Sequence, residues 1–267
     1  MVIKPKISLI LTTYNNIDVI EKCLKSIKNQ SFKDFELIVV DEESSDGTAE
    51  ISKKYADKLI LKGKERCQKR NIGAQNSKSG YLFFVDSDME LSPGILKEIN
   101  ANLYPNTLIM VPEISFGKGY WAKCKAFERS FYVGGDLSQG VRIYPKKLFF
   151  KAKGFDEKII GAEDLDLFYR IKKGNKKIKV IEIKKSLLHN EGELKYIKII
   201  KRMLYYSKSF KEYKERHPEI FKKQISILRY FRKWKKFIMH PILALGFFLI
   251  KGGEAAAVLY SIKKKVT

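Results

Sequence analysis

Two aspartates one residue apart close an apolar run, Leu82-Phe83-Phe84-Val85-Asp86-Ser87-Asp88. Ser79-Gly80 precedes the run, which reads as an interior strand bounded by a turn. Side chains repeat with a period of two along an extended backbone, so Asp86 and Asp88 are expected on one side. Carboxylates held side by side repel each other unless a cation lies between them, and hard divalent cations prefer oxygen ligands. A cation clamp is one reading, and a solvated loop at a strand end is the other. Other polar and acidic stretches accompany it in order: ILTTYNN at 10–16, VVDEESSDGT at 39–48, RNIGAQ at 70–75, GAEDLDLFYR at 161–170 and LHNEG at 188–192.

The elements that must position these groups show in the hydrophobic pattern. Residues 7–11, 36–40, 59–61 and 81–85 are strand-like, while 17–30 carries Ile17, Ile20, Leu24 and Ile27 at helical spacing. A second helix, 48–55, follows the Asp46-Gly47 turn. The alternation predicts an α/β fold with a mostly parallel sheet flanked by helices, which binds ligands at the carboxyl ends of its strands. Those ends are Thr12-Thr13-Tyr14-Asn15, Asp41-Glu42-Glu43 and Asp86-Ser87-Asp88. Residues 105–160 are less periodic, and Gly117, Gly119, Gly134, Gly135 and Gly140 suggest loops covering that edge. A helix is expected to open near Glu163.

Composition narrows the class. The 267 residues are 45% hydrophobic, enough for a sizeable core, and carry a formal charge of +23. Residues 171–236 hold 22 Lys and Arg against 6 Asp and Glu, a field that attracts nucleic acid, anionic lipid headgroups or phosphorylated substrates. Cys23, Cys67 and Cys124 are odd in number and widely spaced, which argues against a disulfide framework and a zinc site and for a reducing compartment. Met1 leads through Lys4-Pro5-Lys6 into a strand, so no signal peptide is read and the cytoplasmic side is expected.

In order and spacing these motifs resemble a family 2 glycosyltransferase with the GT-A, Rossmann-like fold, over roughly residues 5–192. The resemblance implies a nucleotide-sugar donor linked through UDP or GDP, a divalent cation (Mn²⁺ or Mg²⁺) and inversion at the anomeric carbon. It gives Thr12, Tyr14 and Asp41 to the nucleobase and ribose, although DEESSDG departs from the family's more usual paired aspartates. Arg70 and Asn71 would approach the donor phosphates and nucleoside. Asp86 would serve the ribose or the metal's water shell, and Asp88 and His189 the metal. Asp164 would be the base and Glu163 would orient the acceptor, while Asp166 and Arg170 suit an ordinary helical pair. Gly117, Gly119, Tyr120 and Trp121 suit either a mobile flap or a turn with a buried tryptophan. Arg142 falls where related sequences place an arginine ahead of the acceptor loop.

Two domains are expected: a catalytic one over 1–193, with its nucleotide-sugar part near 1–100 and acceptor part near 101–193, and a basic amphipathic helical extension over 194–267. In the extension Tyr196, Ile199, Ile200, Met203 and Leu204 form one helical face, and Ile227, Leu228, Phe231, Trp234, Phe237 and Ile238 a second. The uninterrupted apolar run 237–250 is 14 residues, short of the roughly 20 that span a bilayer, and Lys-Gly-Gly-Glu breaks it. The composition fits an in-plane anchor on an anionic membrane surface, or a helix pair packed on the catalytic domain. A lipid-linked or cell-surface glycan acceptor and a peripheral location on the cytoplasmic face follow from the resemblance. A nucleotidyltransferase is the alternative enzyme, disfavoured because Thr-Thr-Tyr-Asn-Asn is no Gly-rich triphosphate loop. A nucleic-acid binder is the non-enzymatic alternative, and no recognisable binding module supports it.

Overall fold

A computed structural model describes residues 4–133, 140–226 and 228–264. Gly134, Gly135 and Ile227 lie outside the described residues. In chain order the first half contains β1 (Ile7–Thr13), α1 (Ile17–Lys28), β2 (Phe35–Asp41), α2 (Thr48–Tyr55), β3 (Lys58–Leu61), α3 (Arg66–Gln75), β4 (Tyr81–Asp86), β5 (Met89–Leu91), α4 (Ile95–Ala101), β6 (Thr107–Met110), β7 (Glu113–Lys118) and α5 (Gly119–Arg129). There follow β8 (Val141–Pro145), α6 (Lys146–Lys151), α7 (Glu163–Gly174), β9 (Lys179–Glu182) and β10 (Leu187–Glu193). The remainder is helical: α8 (Tyr196–Ser207), α9 (Phe210–Arg216), α10 (Pro218–Ile225), α11 (Leu228–Phe231), α12 (Lys235–Met239) and α13 (Pro241–Lys264). The described residues form two compact units. Unit 1 comprises 4–113, 140–157 and 163–189, and unit 2 comprises 114–133, 158–162 and 190–264 apart from 227.

Unit 1 is built on a seven-stranded sheet of order β3-β2-β1-β4-β8-β6-β9. The predicted strands pair in parallel, β3 on β2, β2 on β1 and β1 on β4, and β8 alone among the described strands of this sheet runs against its neighbours. Strand order reverses at β1, where the chain first builds outward through β2 and β3 and then returns to β4. Thr12 stands opposite Asp86 and Thr13 opposite Asp41, so the polar ends of three strands meet at this switch point. Beneath them β1 is buried along its whole length, with Leu9, Leu11, Leu37, Val39, Phe83 and Val85 in one core with Ile20, Leu24 and Ile27 of α1. The helix α3 was not evident from periodicity. It reaches β1 so closely that a Cβ on Gly73 would lie 2.4 Å from Ile10 Cγ2, a contact only glycine permits.

The 105–160 region departs from expectation. It holds three strands and two helices rather than loops, and α5 belongs to unit 2. Gly117 lies in β7, and Gly119, Tyr120 and Trp121 open α5; there Trp121 packs on Tyr196 with ring centroids 4.8 Å apart, and the Tyr120 hydroxyl donates to the Ile242 carbonyl. In unit 2, α13 lies against α5 and α8. Gly246 and Gly253 allow that approach, since a Cβ at either would meet Cys124 Sγ or the Tyr196 hydroxyl within 2.3 Å. The Lys-Gly-Gly-Glu segment therefore does not end the helix, which runs unbroken over 24 residues. Its charges are paired inward: Lys251 contacts buried Glu128 and lies 2.7 Å from Glu254 Oε2, while Lys125 Nζ reaches Glu128 at 2.7 Å and Glu254 at 3.0 Å. Cys23, Cys67 and Cys124 are buried.

Candidate active site

Every predicted site residue lies in unit 1. The loops after β1 and β2 are stitched together by short polar side chains. Asn15, at φ 47°, accepts from the Ser45 amide at 3.0 Å, and its own amide donates to Ser44 Oγ. Asp41 is fully buried and accepts from the Ser44 amide and hydroxyl at 2.6 and 2.7 Å. Asp46 accepts from the amides of Ile17 and Thr48, holding the first turns of α1 and α2 together, and Gly47 follows at φ +94°; this is the turn expected of Asp46-Gly47. Thr12 is buried on the strand edge, whereas Tyr14 exposes its ring beneath Lys69 Nζ, 5.8 Å from the centroid. Lys69 is itself held by Glu42 at 2.7 Å.

At the end of β4 the two aspartates are held in different surroundings. The strand stops at Asp86, and Ser87 and Asp88 form the turn into β5, so the period-two placement of the aspartates does not apply. Two arginines flank Asp86. Arg70 Nη2 donates to Oδ1 at 2.8 Å and Arg142 Nη1 to Oδ2 at 3.3 Å. Burial favours the neutral acid, but Arg70 and then Arg142 overcome it and hold the Asp86 carboxyl well below the usual range.

These arginines extend the charge chain in both directions. Arg142 Nε and Nη2 both donate to Glu113 Oε1, at 3.0 and 2.5 Å, and Glu113 Oε2 lies 3.7 Å from His189 Nδ1, at the start of β10. On its other ring nitrogen, His189 Nε2 sits 3.2 Å from Asp88 Oδ2. Asp88 Oδ1 is buried with no hydrogen-bond partner. A carboxylate and an imidazole, backed by a carboxylate behind the ring, suit a Mn²⁺ or Mg²⁺ ion that takes its remaining ligands from water and diphosphate oxygens. Among the described residues no third His, Cys, Asp or Glu completes a ligand cluster. Five carboxylates (Asp86, Asp88, Glu113, Glu163, Asp164) face three guanidiniums (Arg66, Arg70, Arg142), and this excess of negative charge also fits a divalent cation.

At the opposite end Arg70 Nη1 donates to Glu163 Oε1 and Asp164 Oδ1, each at 3.2 Å, and Arg66 also contacts Glu163. The two neighbours titrate in opposite directions. Burial pushes Glu163 up, yet Arg66 and Arg70 outweigh it and leave its carboxyl below the ordinary range. For Asp164 burial prevails over Arg70, and the charge of Glu163 adds to it, so its carboxyl is raised. Asp164 is also the more accessible, its side chain 22% exposed against 3% for Glu163. Room for it comes from Gly140, at φ +72°, where a Cβ would lie 3.1 Å from Asp164 Cβ. A raised, accessible carboxylate beside a fixed, ionised one is the arrangement that general-base chemistry needs.

Other placements reveal partners that lie far away in the sequence. Asn71 uses both ends of its amide on the Phe155 backbone, at 2.9 Å each, and thereby anchors the loop that follows α6. Arg70 is fully buried and joins the carboxylates of Asp86, Glu163 and Asp164. Asp166 and Arg170 form the expected helical pair at 2.8 Å. Glu113 and Arg66 went unnoticed in the sequence. The available signal for Glu113 was an acidic residue just after the apolar run 108–111.

The sequence pattern of glycosyl transferase family 2 matches residues 8–151. A GalNAc(5)-diNAcBac-PP-undecaprenol beta-1,3-glucosyltransferase of Campylobacter jejuni is 29% identical over 179 residues, 60% of this chain and 57% of its own. The poly(ribitol-phosphate) beta-N-acetylglucosaminyltransferase TarP of Staphylococcus aureus is 29% identical over 170 residues, 55% of this chain and 51% of its own. The chain thus spans little more than half the length of these relatives. Among solved structures, mannosyltransferase PcManGT from Pyrobaculum calidifontis, in complex with GDP-Man and Mn²⁺, aligns over 98% of this chain and 76% of its own, with a TM-score of 0.59 and 17% identity. S. aureus TarS 1–349 in complex with UDP-GlcNAc aligns over 76% of this chain and 65% of its own, with a TM-score of 0.54 and 22% identity. At these identities the structural likeness speaks for the fold. With the family pattern covering more than half of its residues and the fold shared with these neighbours, the chain belongs to glycosyl transferase family 2 and has the GT-A fold.

Proposed function

We propose that the protein is an inverting, metal-dependent glycosyltransferase that moves a sugar from a nucleoside-diphosphate donor to an acceptor hydroxyl. The observation that carries this reading is the continuous charge chain that joins Asp164 and Glu163, through Arg70, Asp86, Arg142 and Glu113, to His189 and Asp88. Thr12, Tyr14 and Asp41 serve the nucleoside, with the exposed Tyr14 ring as a surface for the base. Asp88 and His189 hold the cation, which supplies charge neutralisation for the leaving diphosphate. Asp164 takes the proton of the acceptor hydroxyl as its oxygen bonds to the anomeric carbon and the bond from that carbon to the diphosphate breaks. A single displacement of this kind inverts the centre. Glu163, fixed as an anion, orients the acceptor, while Arg70 donates to both carboxylates and holds them in place. Asp86 is assigned to the ribose side of the donor, with Asn71 setting the loop behind it.

The donor class is supported by neighbours of the same fold that hold UDP-GlcNAc in one case and GDP-Man with Mn²⁺ in the other. The acceptor class is supported by relatives named for undecaprenol-linked and poly(ribitol-phosphate) glycans. We assign catalysis to residues 1–193 and attachment to the cytoplasmic membrane face to 194–267. Calorimetric titration with UDP and GDP, with and without Mn²⁺, tests the site. The expected result is cation-dependent binding of one nucleotide by the wild type and its loss in Asp88→Ala. Binding of neither nucleotide under any condition would remove this reading.

A further inference from the structure

In unit 2, α13 is apolar all round, and its two sides have different fates. Ala244, Phe247, Ile250 and Ala257 are buried, whereas Ile242, Leu245, Leu249 and Leu259, at the same helical spacing on the other side, are exposed. Leu245 is 62% and Ile242 72% exposed. Lys251 and Glu254 are the only charges in residues 241–260, and both turn inward to Glu128 and Lys125. The outer side therefore presents an uncharged stripe about 30 Å long at 1.5 Å per residue. Exposed Trp234 and Ile238, in and just before α12, add to the apolar surface, and exposed Arg232 and Lys235 flank them with positive charge. A stripe of this size, uninterrupted by polar groups, marks an interaction surface.

We propose that this outer face of α12 and α13 lies in the plane of an anionic bilayer, with Trp234, Ile238, Leu245 and Leu249 in the acyl boundary and Arg232 and Lys235 on the headgroups. It names the surface behind the membrane location proposed above. Charge selects the lipid over a second copy of the chain: two molecules of formal charge +23 repel each other, while acidic headgroups neutralise the flanking lysines and arginines. Residues Pro241–Tyr260 have the length and composition of a membrane span. Packing selects an in-plane helix all the same. Spanning would tear Lys251 and Glu254 from their partners, and Gly246 and Gly253 from α5 and α8, and leave both charges in hydrocarbon.

Co-sedimentation of the full chain with phosphatidylcholine vesicles, with and without about 30% phosphatidylglycerol, tests this. Binding is expected to be roughly tenfold tighter to the anionic vesicles and to weaken with salt. The exposed-site double variant Ile238→Glu, Leu245→Glu should bind at least about tenfold more weakly with an unchanged melting temperature. Arg232→Glu with Lys235→Glu should lose the preference for phosphatidylglycerol. Absence of vesicle binding, or wild-type binding by the Ile238/Leu245 variant, would overturn the proposal. So would an oligomer in light scattering that this variant dissolves without changing vesicle binding, since the face would then bind protein. Resistance of the bound chain to alkaline carbonate would overturn the in-plane geometry in favour of a span. Vesicle binding is read without donor or acceptor, so its failure leaves the transferase reading standing.

Discussion

Glu163 and Asp164 are adjacent in the chain and opposite in character, although they share Arg70. Both accept from the same Arg70 nitrogen at 3.2 Å, but Arg66 adds its charge at Glu163, while Asp164 has the Glu163 anion beside it. Removing Arg70 would leave Asp86, Glu163 and Asp164 buried or half-buried without their shared cation. Arg70→Ala is therefore expected to lower stability by about 3–5 kcal/mol in urea unfolding. Arg70→Lys should restore little of this, because a single ammonium cannot reach three carboxylates in a fixed fork. An unchanged midpoint in Arg70→Ala would show that the network is peripheral to the fold. Much of the residue list was legible beforehand, because Asp86, Asp88, Glu163-Asp164 and His189 stand in distinctive short contexts. The roles of Arg70 and Asn71 were not: burial and partner choice depend on residues far away in sequence, such as Glu163 for Arg70 and Phe155 for Asn71.

At the scale of elements, the alternating half of unit 1 could be read because apolar spacing distinguishes β1, α1, β2 and β4, and the Asp46-Gly47 turn marks the start of α2. The helix α3 escaped because its buried side is made of Cys67, Lys69, Arg70, Gly73 and Ala74, a mixture with no apolar period. Its position depends on Gly73. A Cβ there would press into Ile10 on β1, so Gly73→Ala is expected to cost about 1–3 kcal/mol and to lower the thermal midpoint, although alanine is the better helix former. A midpoint equal to or above wild type would show that α3 can shift away from the sheet. The same tertiary logic explains α13. Lys-Gly-Gly-Glu looks like a break in isolation, yet the glycines meet α5 and α8 and the charges meet Glu128 and Lys125, none of which local sequence reveals.

For the whole molecule, the residues assigned to transfer lie in unit 1, and the basic helices with their exposed apolar stripe lie in unit 2. Acidic lipid is the polyanion proposed for the basic helices of unit 2, and a divalent cation is the counter-charge proposed for the carboxylate-rich site of unit 1. The most direct test of the transfer chemistry is release of nucleoside diphosphate from UDP- and GDP-sugars by wild type and Asp164→Asn, across pH and with donor affinity measured in parallel. Wild type should turn over one donor class, with its rate falling as pH drops through a carboxyl pKa above that of an ordinary aspartate, since the base must be ionised. Asp164→Asn should lose about 10²–10⁴-fold in turnover while binding the donor as wild type does. Full turnover by Asp164→Asn, or a loss matched by lost donor binding, would contradict its assignment as the base.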